Sequence, residues 1–141
     1  MIDALPNAHQ PLILIVDDEA NNLQVLRHIL QDDYRLVFAK SGAKALELVA
    51  KEKPGLILLD VMMPEMSGHE VCRILKSQPQ TRAIPSIFVT ALSDINDEKT
   101  GFDLGAVDYI TKPVSPPIVR ARVKNHLSLV RVEELLETRP V

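Results

Sequence analysis

Leu56-Ile57-Leu58-Leu59-Asp60-Val61-Met62-Met63-Pro64 is the stretch on which the reading of this chain turns. Four aliphatic residues in succession, with Pro54-Gly55 before them and Pro64 after, predict a short strand buried on both faces. A carboxylate stands where the run ends. Charge at the rim of a core is costly unless something pairs with it, so Asp60 requires partners from elsewhere in the chain. By itself Asp60 reads equally well as a cap on the loop that follows.

Upstream, Pro11 opens Leu12-Ile13-Leu14-Ile15-Val16, a second uninterrupted apolar run that stops at Asp17-Asp18-Glu19. Asn21 or Asn22 is suited to cap a helix whose apolar positions Leu23, Leu26, Ile29 and Leu30 have helical spacing, with Asp32-Asp33 as its end. Tyr34 to Ala39 is a weaker strand. Ser41 then caps a helix through Ala45, Leu46, Leu48 and Val49, closed by Pro54-Gly55. Downstream, Pro64-Glu65-Met66-Ser67-Gly68 is a turn, and Val71, Ile74 and Leu75 face a helix that Gln78-Pro79 stops. Ile87 to Thr90 is a fourth strand. A polar loop from Ser93 to Asp97 leads to a short helix around Lys99 to Leu104, ended by Gly105. Val107 to Ile110 is a fifth strand, followed by Thr111-Lys112-Pro113. Pro116-Pro117 open a last helix that reaches Leu127 and is able to continue to Thr138.

Strand and helix thus alternate five times with short connections. That order predicts an α/β fold, a parallel sheet with helices on both faces joined by right-handed crossovers. Ligands of such sheets bind beyond the carboxyl ends of the strands. Those ends carry Asp17 and Asp18, Asp60, Thr90 and Lys112. Three carboxylates on one edge repel one another unless a cation lies among them, and oxygen-only ligands favour Mg²⁺ over zinc. The four histidines, His9, His28, His69 and His126, stand at none of the strand ends and read as surface residues. Beside a bound cation, Asp60 is a candidate nucleophile toward phosphorus. Lys112 would pair with a phosphoryl oxygen, and Thr90 would donate a hydrogen bond to it.

The composition narrows the function classes. A chain of 141 residues suits one domain with a real core. Aromatic residues are only 4% with no Trp, so little is available to stack on a flavin or a base. A net charge of -3 gives no footprint for nucleic acid or an anionic membrane, and no apolar run approaches a membrane span. The single Cys72 rules out an internal disulfide, suits the cytoplasm, and lies in a helical pattern as a packing residue. Flavodoxin-like phosphate binding conflicts with Asp17-Asp18-Glu19 in the first loop. A haloacid-dehalogenase-type phosphatase would need a second Asp where Met62 stands.

Ile15-Val16-Asp17-Asp18-Glu19, Leu59-Asp60-Val61-Met62-Met63-Pro64 with Ser67-Gly68, Val89-Thr90-Ala91 and Tyr109-Ile110-Thr111-Lys112-Pro113 together resemble the receiver domain of bacterial two-component response regulators, from about Leu12 to Leu127. The resemblance implies a doubly wound, flavodoxin-like five-stranded sheet of strand order 2-1-3-4-5. It implies that Asp60 accepts a phosphoryl group from a sensor histidine kinase. Asp17, Asp18, Asp60 and the Met62 backbone carbonyl would hold Mg²⁺, with Thr90 and Lys112 as phosphate-binding switch residues and Tyr109 as an aromatic rotamer switch. Met62 and Leu92 match the positions that tune the lifetime of the phosphorylated form. The surface of the fourth helix, fifth strand and fifth helix would change on phosphorylation. The Lys112-Pro113 bond is expected to be cis, and Val114 departs from the bulkier residue common after Lys-Pro in relatives. Such a domain is not an enzyme beyond its own phosphorylation and dephosphorylation. The rival within the family is a protein-binding module that works without phosphorylation, which a missing Asp or Lys would favour; none is missing.

By this reading residues 1–10 are a flexible tail, 11–127 the receiver domain and 128–141 a helical extension toward an output domain. Arg131 to Arg139 resembles the linker that precedes HD-GYP-type cyclic-di-GMP phosphodiesterase domains, and less closely that of GGDEF cyclases. The output domain would be covalently linked or separate. Leu129, Val132 and Leu136 form a second apolar stripe on the last helix, a candidate seam of a homodimer.

Overall fold

The computed structural model describes residues 10–91 and 95–137, and of 95–98, 131–135 and 137 the backbone alone. Of the tail expected over residues 1–10, residues 1–9 lie outside the described residues, as do Leu92 and Thr138. The elements run β1 (Leu12–Val16), α1 (Ala20–Leu30), β2 (Arg35–Ala39), α2 (Gly42–Glu52), β3 (Leu56–Leu59), α3 (Gly68–Lys76), β4 (Ser86–Thr90), α4 (Ile95–Asp103), β5 (Asp108–Thr111) and α5 (Pro116–Glu137). All four pairings are parallel, in the order β2-β1-β3-β4-β5. The alternation of elements, the parallel sheet and its strand order agree with the sequence reading.

Strands β1 and β3 are aliphatic throughout, and β4 is apolar from Ile87 to Val89, because both faces of these three inner strands are covered. Side chains alternate across a strand, so Leu14, Val16, Ile57, Leu59 and Phe88 meet Ala45 and Val49 of α2 and Val71, Cys72 and Leu75 of α3. Ile13, Ile15, Leu56, Leu58, Ile87 and Val89 face the other way, onto α1 and onto Val119 and Val123 of α5. Cys72 is fully buried in the first layer, the packing role expected of it.

Several boundaries differ from the sequence reading; β2 starts at Arg35 rather than Tyr34 and β4 at Ser86 rather than Ile87. Neither Asn21 nor Asn22 caps α1; both lie inside it, and Glu19 is the N-cap without a side-chain bond. The cause is local: Asp17 Oδ1 accepts the Glu19 N–H at 2.9 Å, so the chain turns at once. Helix α4 begins at Ile95, within the stretch read as polar loop, because Ile95-Asn96-Asp97 has no helix breaker to delay it. Strand β5 starts one residue later than expected, at Asp108. Ser41 does cap α2, accepting the Lys44 N–H at 3.1 Å, and Gly105 follows α4 with φ of 104°, as read.

Candidate functional site

Asp17, Asp60 and Lys112 each stand one residue past the end of a strand, yet their backbones still belong to the sheet. Asp17 N–H donates to Ala39 O at 3.0 Å, Asp60 N–H to Val16 O at 3.0 Å, and Lys112 N–H to Thr90 O at 2.9 Å. Three side chains from distant parts of the chain are therefore held on one rim by sheet hydrogen bonds rather than by loop contacts. Asp17 and Asp60 are 2% and 5% exposed. Asp18 is more open to solvent.

The carboxylate oxygens of Asp17, Asp18 and Asp60 lie within 4.8 Å of one another, the one such acidic cluster among the described residues. Lys112 Nζ is 2.7 Å from Asp17 Oδ2 and 3.6 Å from Asp60 Oδ1. One ammonium does not balance three carboxylates. Burial pushes the Asp60 carboxyl above its ordinary range. The Lys112 charge pulls it down, Asp17 pushes it up, and the backbone N–H groups of Met62 and Val61, which donate to it, pull it down again. The upward influences win, so the site favours added positive charge. All donors toward the space between the carboxylates are oxygens, the set a hard divalent cation such as Mg²⁺ takes. The residues fit that ion.

Thr90 is fully buried at the end of β4, opposite Thr111 in register. Tyr109 lies deeper, opposite Phe88, and is only 8% exposed. Its ring stands 5.9 Å from that of Phe88 and 6.4 Å from that of Phe102. The aromatic thus lies on the inside in this structure. Met62 is 64% exposed at the rim. Its companion Leu92 lies outside the described residues. The Lys112-Pro113 bond is cis, as expected. Val114 is partly buried against the layer formed by α1 and α5.

Two histidines are not the plain surface residues the sequence suggested. His69 sits edge-on to Phe88, centroids 5.1 Å apart. His126 Nε2 is 2.9 Å from Asp108 Oδ2, while Arg122 Nη1 donates to Asp108 Oδ1 at 2.8 Å. Burial raises the Asp108 carboxyl, but hydrogen bonds from His126, the Tyr109 N–H and Arg122 outweigh it and hold it below its ordinary range. This tie joins α5 to the residue before Tyr109, and no motif announced it. The fourteen- and eighteen-residue separations it bridges close only once α5 lies beside β5.

Residues 13–124 match the response regulator receiver domain family. The chain is 45% identical over 133 residues to "Probable cyclic di-GMP phosphodiesterase" of Vibrio cholerae, a match covering 94% of this chain and 30% of that protein. It is 44% identical over 114 residues to response regulator PleD of Caulobacter vibrioides, covering 80% of this chain and 25% of that protein. The chain thus spans less than a third of the length of either relative. Among solved structures, the CheY-like response regulator receiver domain protein of Methanospirillum hungatei superposes with a TM-score of 0.82 at 27% identity, covering 88% of this chain and 98% of that one.

Proposed function

This chain belongs to the response regulator receiver domain family, and from that premise we propose that it is a phosphoacceptor switch of two-component signalling in which Asp60 is the phosphorylated residue. The observation that carries the reading is the rim on which Asp17, Asp18, Asp60 and Lys112 converge. An Asp60 carboxylate oxygen attacks the phosphorus of a kinase phosphohistidine. The O–P bond forms, the N–P bond breaks, and its electron pair returns to the imidazole nitrogen, which takes a proton from solvent. Lys112 moves from Asp17 to a phosphoryl oxygen, and the Thr90 hydroxyl donates to another. Asp17, Asp18, Asp60 and the Met62 carbonyl would hold Mg²⁺, which when bound neutralises charge on the transferring group.

The domain works in the cytoplasm and catalyses only its own phosphorylation and dephosphorylation. Its readout is the face of α4, β5 and α5, and residues 11–127 are the switch proper. Residues 128–141 lead to an output domain, for which we propose a cyclic-di-GMP phosphodiesterase of HD-GYP type, with a GGDEF cyclase as the alternative. The phosphodiesterase reading is supported by the Vibrio cholerae relative. A match of 133 residues out of 141 cannot stop short of position 133, so that likeness runs past the family region, which ends at 124. The test is intact mass after incubation with acetyl phosphate and Mg²⁺. The native chain gains one phosphoryl group and Asp60→Asn gains none. Modification of the variant at the native rate would overturn the assignment of Asp60. A native chain that stays unmodified even with kinase would mean a binding module that works without phosphorylation.

A further inference from the structure

Every lysine of the chain is exposed except two. Lys112 belongs to the acidic rim, where Asp17 pairs with its charge. The other is Lys76, the last residue of α3. Its Nζ donates to Ile84 O at 2.8 Å and to Arg82 O at 3.0 Å, both in the loop between α3 and β4. Both partners are neutral. None of the ion pairs among the described residues includes Lys76. The last carbonyls of α3 offer it nothing, since Ser77, Gln78 and Thr81 already donate to Ile74 O and Leu75 O. Burial lowers the Lys76 ammonium below its ordinary range, against the weaker influence of the Cys72 thiol one turn back. That thiol is itself pushed up by burial, so near neutral pH it carries no charge to hold an ammonium.

A lysine ammonium has three N–H bonds to satisfy, and the neutral amine has two. Two carbonyl oxygens therefore satisfy the amine completely. Its lone pair then takes the remaining tetrahedral direction, turned away from both carbonyls. An amine held in this way is a nucleophile. Below the nitrogen, the Lys76 stem lies across the turn that ends α4. A Cβ on Gly105 would meet Lys76 Cγ, Cδ and Cε at 3.0, 3.3 and 3.4 Å. The residue before it is held too, because Cys72 Sγ donates to Leu104 O at 3.7 Å. Helix α3 thus fastens the C-terminal end of α4 through Cys72 and Lys76.

We propose that Lys76 is a site of N-acetylation by a small activated acyl donor, an acyl phosphate or an acyl thioester, and that the modification loosens the end of α4. The Nζ lone pair attacks the acyl carbon and the C–N bond forms. The C–O bond to phosphate, or the C–S bond to the thiol, breaks with its electron pair, and the proton lost from Nζ goes to solvent. The acetamide keeps a single N–H, so Arg82 O or Ile84 O loses its donor and the enlarged head displaces the stem from Gly105. The site stands apart from the reading of Asp60; only the consequence for readout through α4 rests on it. Incubation with acetyl phosphate in one arm and acetyl coenzyme A in the other, followed by digestion and site-resolved mass spectrometry, gives the rate at each lysine. An acetyl group on lysine and a phosphoryl group on aspartate differ in mass and in position, so the two reactions are read separately. In at least one arm Lys76 should react roughly fivefold faster than the exposed Lys40, Lys51, Lys53 and Lys124, and the arm that reacts identifies the donor. In denaturing urea the advantage should vanish, because the fold creates it. Acetylation should also move the Leu104 and Gly105 amide signals, a change that the acetylated Lys76→Arg variant should lack. A rate at Lys76 no greater than at the exposed lysines in both arms, or an advantage that survives urea, would overturn the site. Unmoved Leu104 and Gly105 signals would overturn its link to α4.

Discussion

Lys112 Nζ lies 2.7 Å from Asp17 Oδ2, closer than the 3.6 Å that separates it from Asp60 Oδ1. The lysine thus compensates the carboxylates of the acidic rim, Asp17 first. Removing it leaves two buried carboxylates uncovered. Lys112→Met should lose on the order of 3 kcal/mol of stability at neutral pH in EDTA, as expected for a broken buried pair. Millimolar Mg²⁺ should restore part of that loss. Denaturant unfolding with and without Mg²⁺ measures both, and a loss that Mg²⁺ leaves unchanged would contradict the cation site.

Asp60 itself should cost stability. Its carboxyl is raised above the ordinary 3.8 in the folded state, so the native protein binds that proton more tightly than the unfolded chain does. Stability therefore falls as pH rises from about the unfolded value through the folded one, and the full penalty is present above both. In EDTA at pH 7, Asp60→Asn should melt a few degrees above the native protein. The gain should fade toward pH 3. Equal melting temperatures at neutral pH would count against an unfavourably buried charge.

Tyr109 occupies a buried seat made by Phe88 and Phe102, and Gly101 leaves room for it: a Cβ there would come within 3.3 Å of Tyr109 Cε2. On the proposed function, phosphorylation should stabilise this arrangement rather than create it, a shift of population. Thr90→Ala should still accept the phosphoryl group, yet show much smaller amide-shift changes across α4 and β5. Native-like changes in that variant would sink the coupling.

The lifetime of the phosphorylated form should be long. Met62 stands exposed at the rim, and neither it nor Leu92 offers an oxygen or amide to orient a hydrolytic water. Met62→Glu with Leu92→Asn should hasten dephosphorylation roughly tenfold, in the lower range of general-base effects. The decay of the phosphorylated mass measures it, and an unchanged half-life would refute the assignment.

Helix α5 spans 22 residues, about 33 Å at about 1.5 Å per residue. Leu129 and Leu136, seven residues apart, are 56% and 57% exposed. With Val132, whose side chain lies outside the described residues, they have the spacing of a parallel coiled-coil seam. Sedimentation with and without beryllofluoride should detect a dimer. Val132→Glu with Leu136→Glu should give folded monomers. Self-association that survives this double change would exclude the helix as its seam.

The alternation of elements was legible in the sequence because the inner strands are buried on both faces and must be continuously apolar, while the helices repeat at another period. The acidic and basic residues at strand ends were legible for the same reason: charge cannot interrupt such a strand, so it collects where the strand stops. Pairings between distant side chains were not. That Lys112 rests on Asp17, that Asp108 ties Arg122 and His126, and that Tyr109 is already inside depend on how α4 and α5 lie against β5. Gly68 shows the division most plainly. In the sequence it marks a turn and the start of a helix, but only in the folded chain would a Cβ on it fall 2.0 Å from the Asp60 carbonyl oxygen, which forbids a side chain there. Patterns along a chain record burial and local geometry, and contact between elements is decided by packing in three dimensions.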